Sequence, residues 1–243
     1  MRPVTIVTGG GRGIGAATAL RLAEAGHDLA ISYRADAQAA ERVVEAVTAA
    51  GGRAVAIQAE TAQEADVDRL FERAAAELGP ITGVVNNAGI TSPLGRLTDT
   101  RVEDLRRVID VNVVGVLLCA RRAATVLTRG GAIVNVSSAA ATLGSPNQYV
   151  HYAASKAAVD ALTVGLSKEL APAGIRVNTV APGIIETEIH ATSGDPDRPA
   201  KLAGQIPLGR PGQPEEIAAA IAWLLSPEAS YTTGATLRVA GGL

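Results

Sequence analysis

The sequence predicts an α/β protein of the doubly wound kind, a parallel sheet with helices on both faces. Three observations lead there. Short runs rich in Val and Ile alternate with longer Ala- and Leu-rich stretches, the pattern of repeated βα units. The first short run ends in a glycine-rich turn that opens directly into a helical stretch. The length of 243 residues suits a single domain spanning 1–243, and a hydrophobic content of 47% can supply its core.

The elements follow in order. A strand at 4–7 (Val4-Thr5-Ile6-Val7) leads through the glycine turn to a helix at 16–25, and further strands are expected at 28–33, 53–58, 81–86, 132–137, 175–181 and 235–239. Each is short and β-branched, as a strand buried in a parallel sheet should be. The intervening helices, at 37–50, 64–78, 101–127, 149–170 and 214–225, are long and built from good helix formers. Gly26, Gly51-Gly52, Gly79-Pro80, Gly130-Gly131 and Gly174 punctuate successive elements. Seven strands fit one sheet.

Composition removes several function classes. Charges nearly balance, with 22 Lys+Arg against 24 Asp+Glu, and aromatics are 2%, so neither an electrostatic groove nor a stacking platform for nucleic acid is expected. The single cysteine, Cys119, allows no intramolecular disulfide and reads as a small core hydrophobe. His27, His151 and His190 are scattered, so no metal site is expected; His151 either lines the pocket rim or is structural. No uncharged apolar run reaches the ~18 residues of a membrane helix, and the N-terminus enters a strand at once rather than a leader, so a cytoplasmic protein without membrane contact is expected.

The turn reads Thr8-Gly9-Gly10-Gly11-Arg12-Gly13-Ile14-Gly15. Glycines let backbone approach a pyrophosphate, and the N-terminus of the next helix presents unpaired amides to it. The spacing Thr-Gly-x-x-x-Gly-x-Gly, with Gly9, Gly13 and Gly15 as members and Arg12 and Ile14 between them, reads as a dinucleotide turn. A phosphate-loop NTPase would need Lys followed by Ser or Thr, which Ile14-Gly15-Ala16 does not supply. The second strand ends in Tyr33-Arg34, where a basic residue would pair with a 2′-phosphate and an acidic one with ribose hydroxyls. Arg12 can reach the same phosphate, and Asp36 lies past the strand end, so no acid is expected to oppose the two guanidiniums. The expected cofactor is NADP(H), with NAD(H) left open.

Tyr152 and Lys156 stand four apart on an expected helix and so share a face. A phenol with an ordinary pKa near ~10 is a poor base at neutral pH unless an ammonium stabilises the phenolate, and Lys156 is placed to do that. An Ala-rich helix can carry such a pair by chance, so the surroundings decide. Ser137-Ser138 closes the fifth strand, Asn112 lies on the preceding helix, and Asn86-Asn87-Ala88-Gly89 closes the fourth strand. Ligands of an open α/β sheet bind outside such strand ends.

Together these residues resemble the classical short-chain dehydrogenase/reductase family, over essentially the whole chain from Thr8 to Pro182-Gly183, and in particular its glucose-dehydrogenase- and ketoacyl-reductase-like members. The resemblance implies a seven-stranded Rossmann sheet and an oxidoreductase that moves a hydride between NADP(H) and a carbonyl or alcohol carbon of a small or medium substrate. It implies a catalytic tetrad of Asn112, Ser138, Tyr152 and Lys156. Tyr152 would be the general acid or base, Ser138 would hold the substrate oxygen, Lys156 would also bond the nicotinamide ribose, and Asn112 would keep a water linking Lys156 to solvent. Further cofactor contacts are implied at Asn87, Ala88 and Gly89, and at 182–187, where Pro182, Gly183, Ile185 and Thr187 would orient the nicotinamide. A homotetramer built on the helices at 101–127 and 149–170 is implied as well.

Three departures stand out. The interval from Ser138 to Tyr152 is one residue longer than is common, and the extra residue is assigned to the loop at 143–151, keeping Ser138 with Ser137 as the fallback. Glu60-Thr61 stands where many relatives bind adenine with an Asp, and Ala240-Gly241-Gly242 replaces an Asp-Gly-Gly ending. Plainer readings exist for Ser138, as a hydroxyl that serves backbone at a strand end, and for Asn112, as a polar residue easing a helix irregularity. The alternative function is a non-catalytic dinucleotide sensor or scaffold of the same fold. The Gly-, Pro- and Asp-rich segment at 186–211 is too long for an ordinary connection and reads as a substrate lid. Its mixed residues name no substrate.

Overall fold

The computed structural model describes residues 2–243; Met1, where the expected domain begins, lies outside the described residues. Strands β1 (Val4–Val7), β2 (Asp28–Tyr33), β3 (Ala54–Gln58), β4 (Ile81–Asn86), β5 (Ala132–Val136), β6 (Arg176–Pro182) and β7 (Thr236–Val239) form one sheet in the order β3-β2-β1-β4-β5-β6-β7. Every pairing is parallel. All seven expected strands are present, with ends shifted by one residue at most. The order reverses between β1 and β4, which opens a crevice at the carboxyl ends of those strands.

Helices α1 (Gly13–Glu24), α2 (Ala37–Ala49) and α3 (Glu64–Leu78) follow the first three strands. Helix α1 starts three residues earlier than expected, inside the glycine turn, so its first amides belong to that turn. The expected helix at 101–127 is one rod in three parts: α4 (Val102–Ile109), a π-helical turn (Asp110–Val114) and α5 (Gly115–Val126). A short helix missed by the sequence, α6 (Ala140–Leu143), precedes the long α7 (Val150–Leu170). Two short helices, α8 (Ile189–Thr192) and α9 (Arg198–Leu202), break up the segment after β6, and α10 (Pro214–Leu225) precedes β7.

The alternation of side chains along each strand makes two cores. On one face Phe71, Leu70 and Val67 of α3 and Cys119 and Ala123 of α5 pack on Ile6, Val84, Ile133 and Val177. On the other, Leu22 of α1, Val47 of α2 and Ile217, Ile221 and Leu224 of α10 pack on Val7, Val85, Val134 and Val180. Burial of the Cys119 thiol pushes its pKa up to about 12, which makes it an inert core group. No helix among the described residues is long and apolar enough to cross a membrane.

Candidate active site

The glycine turn lies against the end of β4, and the sequence is built for that closeness. A Cβ on Gly15 would sit 2.3 Å from the Gly9 carbonyl oxygen and 2.6 Å from the Asn87 amide, and Gly9 itself holds a φ of +62°. Asn87 braces the turn, its side-chain amide donating to the carbonyls of Thr8 (2.9 Å) and Gly9 (3.0 Å). The Thr8 hydroxyl accepts in turn from the amides of Asn87 and Ala88, both at 3.0 Å. At the N-terminus of α1 no side chain caps the helix and the first turn carries no acid, which leaves amides free for an anion.

At the next strand end the two candidate serines divide their work. The Ser137 hydroxyl donates to the Lys156 carbonyl at 3.1 Å and ties β5 to α7. Ser138 accepts from the Ala140 amide at 3.1 Å and lines the cleft with Tyr152, less buried than Ser137. Between α6 and α7, Ser145 and Asn147 adopt left-handed backbone with φ of 46° and 60°.

Tyr152 and Lys156 do lie together on α7, the Lys156 Nζ 5.8 Å from the centre of the Tyr152 ring. The ammonium donates to the Val136 carbonyl at 2.8 Å, and burial drives its pKa down to about 8 despite nearby Asp160. Burial also raises the Tyr152 pKa, Tyr149 adds to the rise, and only the neighbouring Ser138 hydroxyl opposes it. Burial thus keeps the phenol protonated.

Asn112 sits in the π-helical turn, fully buried. Its Oδ1 accepts from the Ile90 amide at 2.8 Å, and its Nδ2 donates to the Ile90 carbonyl (2.9 Å) and the Ser155 hydroxyl (3.1 Å). The helix irregularity and the site are thus one feature, as π turns at functional positions often are. Gly89 stands between the two, since a Cβ there would meet Lys156 Nζ at 3.3 Å and Asn112 Oδ1 at 3.4 Å.

A cleft of about 820 Å³ joins these parts. Its walls include Gly9, Arg12, Gly13, Ile14, Tyr33, Arg34, Glu60, Thr61, Asn87, Ala88 and Gly89 at one end. Ser138, Tyr152, Lys156, Pro182, Gly183, Ile185 and Thr187 line the other. Of the expected site residues, Gly15 and Asn112 do not line it and act from behind: Gly15 lets helix, turn and strand meet, and Asn112 holds Ile90. The expectation that no acid opposes the guanidiniums is corrected, because Arg34 pairs with Glu60 at 3.8 Å. Asp36 lies at the same end, but its carboxylate caps α2 through the Ala39 amide at 2.9 Å.

Sequence reading missed several groups. A buried polar ladder runs from the Asn86 amide to Asn135 (2.8 Å), from Asn135 to Thr163 (2.9 Å) and from Thr163 to Thr179 (2.6 Å), fastening α7 to the sheet. Each member looks like an ordinary strand or helix residue in the chain, and only the parallel register aligns them. Arg198 and Tyr149 also line the cleft, and Tyr149 packs edge-on to Tyr152 with ring centres 5.1 Å apart. The three-residue spacing of the tyrosines was a usable signal; nothing local marks Arg198. The histidines have single protein partners: His27 with Thr5 (2.8 Å), His151 with Ser92 (2.7 Å) and His190 with the Ile185 carbonyl (2.9 Å). His151 is therefore a buried residue beneath the rim.

Known proteins resemble this chain along its whole length. The family profile described as enoyl-(acyl carrier protein) reductase matches residues 9–243. The uncharacterized oxidoreductase YgfF of Escherichia coli is 47% identical over 98% of this chain and 99% of its own. The 3beta-hydroxysteroid dehydrogenase 1 of Eggerthella lenta is 44% identical over 98% and 92%. A short-chain dehydrogenase from Burkholderia cenocepacia, solved in complex with NADP, superposes with a TM-score of 0.93 at 37% identity, covering 99% of this chain and 97% of that one. With the fold, the strand-end site and the full-length match in agreement, the chain belongs to the classical short-chain dehydrogenase/reductase family, oxidoreductases that act on CH–OH and C=O groups.

Proposed function

We propose that the protein is an NADP(H)-dependent reductase of a carbonyl compound, with Tyr152 as the proton donor. The observation that carries this is the continuity of the cleft, which runs from the basic end at Arg12 and Arg34 to Ser138, Tyr152 and Lys156. The residues fit a dinucleotide: the N-terminus of α1 carries no side-chain cap and no acid in its first turn, and Gly9 and Gly13 keep the turn beside it free of side chains of its own, with Thr187 and Glu188 packed across from Gly13. Gly9, Arg12, Gly13 and Ile14 would hold the pyrophosphate, Tyr33 and Arg34 the 2′-phosphate, Glu60 and Thr61 the adenine, and Asn87, Ala88, Gly89 and Lys156 the riboses. Pro182, Gly183, Ile185 and Thr187 would border the nicotinamide. When bound, that cofactor supplies the hydride. The bound NADP of the Burkholderia cenocepacia relative supports the same choice here, with NAD(H) as the weaker cofactor because Glu60 partly neutralises Arg34.

The chain's own groups perform the proton chemistry. Ser138 donates to the substrate carbonyl oxygen and fixes it beside the phenol. Tyr152, kept protonated by burial, transfers its proton to that oxygen as negative charge develops there. Lys156, charged below about pH 8, stabilises the phenolate left behind. Asn112 positions the Ile90 backbone beside Lys156 and would order the water through which the site regains its proton. The segment at 186–211 serves as the substrate lid, since Thr187, Ile189, His190, Leu202 and Ile206 line the cleft.

We further assign a homotetramer, supported by exposed Val102, Ile109, Val114 and Leu117 along the α4–α5 rod and Val164 on α7. A reducing cytoplasm suits the buried free thiol. The test of function is NADPH and NADH oxidation across ketones, diketones, quinones, aldoses and ketoacyl thioesters, with Tyr152→Phe alongside. NADPH-preferring turnover that falls about 10²- to 10⁴-fold in the variant, with NADPH affinity retained, is expected. Cofactor binding without reduction of any carbonyl would favour the sensor reading.

A further inference from the structure

We propose that Arg198, with Gln148 and Tyr149, is the binding site for a carboxylate on the substrate, which makes the substrate an oxo acid. The proposal rests on the carbonyl-reductase reading of the cleft and names the substrate class for it.

Arg198 is a guanidinium only 7% exposed, on the wall of the cleft. Among the described residues no carboxylate pairs with it; the nearby Asp195 pairs with Lys201. Its Nη2 donates to Gln148 Oε1 and, at 3.1 Å, to the Tyr149 hydroxyl. Its Nε is buried with no partner at all. A guanidinium cannot shed its proton to escape this, so burial without a counter-ion is costly unless a ligand brings one.

The location gives the ligand its second anchor. The Arg198 Cζ lies 5.2 Å from the Tyr149 ring, which in turn lies 5.1 Å from the Tyr152 ring. One tyrosine therefore separates the cation from the proton donor, a span that a short aliphatic chain bridges. With Oε1 of Gln148 taken by Arg198, the Gln148 amide nitrogen is left as a donor to the same anion. Leu143, Ile189, Leu202 and Ile206 add apolar surface to the same cleft. His190 is biased toward its neutral form by burial, its bond to the Ile185 carbonyl and nearby acids opposing that and the Arg198 charge reinforcing it. A planar guanidinium fork suits a planar carboxylate, which it can bond through both oxygens.

Two readouts test this, one independent of turnover. Calorimetry of the protein, with and without saturating NADPH, compares hexanoate with hexanamide. Hexanoate is expected to bind roughly 10- to 100-fold tighter, and Arg198→Met to erase the difference while Arg198→Lys keeps part of it. Turnover is then compared between oxo acids of increasing chain length and their methyl esters, with KM and kcat resolved. The acid-over-ester ratio in kcat/KM is expected to collapse in Arg198→Met through KM. Equal binding of hexanoate and hexanamide, or equal losses for acid and ester in the variant, overturns the carboxylate site and leaves Arg198 a clamp between the lid and α7. Failure of the reductase reading looks different: no carbonyl is reduced, while the hexanoate comparison still decides the anion site.

Discussion

The proposed chemistry turns on two side chains four residues apart, Lys156 buried and Tyr152 half-buried, whose environments push their protonation in useful directions. Tyr152 is raised by burial and stays protonated through the neutral range, whereas Lys156 is lowered to about 8. Lysine carries its charge below its pKa and loses it above, so reductive kcat should hold up to about pH 8 and decline beyond it as phenolate stabilisation is lost. Because Tyr152 titrates far higher, that limb belongs to Lys156. In Lys156→Arg, whose guanidinium stays charged, the limb should vanish from the pH profile even if kcat is reduced throughout. At the other end of the cleft, Glu60→Gln frees Arg34 from its acid and should raise the ratio of NADPH to NADH in kcat/KM. An unchanged ratio would show that Arg34 does not meet the 2′-phosphate.

At the scale of elements, the site depends on how closely a turn, a strand end and a helix pack. Gly15→Ala drives a methyl group to 2.3 Å from a backbone oxygen that cannot retreat without moving β1. We expect a loss of about 1–3 kcal/mol, read as a lower denaturation midpoint, together with weakened NADPH binding because the helix N-terminus is displaced. The ladder Asn86–Asn135–Thr163–Thr179 performs the corresponding task for α7. Thr163→Val removes a buried hydroxyl and strands the Asn135 amide, which costs about 1–3 kcal/mol by chemical denaturation. Since α7 carries both Tyr152 and Lys156, this variant should also lower kcat more than it raises the KM for NADPH.

For the whole molecule, the two long helical elements carry an apolar surface that the sheet does not use. Val102, Ile109, Val114 and Leu117 recur along one rod, and Val164 is exposed on the other. Sedimentation should give a species of four chains. Leu117→Asp puts a charge into that contact and should yield smaller species with the fold intact by circular dichroism. A monomeric parent protein would remove the basis for that face.

Much of this was legible in the chain because parallel-sheet proteins write their plan locally. Seven β-branched runs, the glycine turn, the strand-end Asn87 and Ser138, and the four-residue spacing of Tyr152 and Lys156 all follow from short-range rules of period and backbone freedom. These determined the strand number and the long helices, and pointed to the strand ends where the cleft lies. Only the tertiary structure decided that Ser137 is tied to the Lys156 carbonyl, that Glu60 reaches Arg34, that Gly15 and Asn112 act from behind the cleft, and that the Lys156 ammonium donates to the Val136 carbonyl. Each of these depends on residues far apart in sequence brought within a few ångströms. Burial and pairing of that kind set a group's charge, and no local pattern records them.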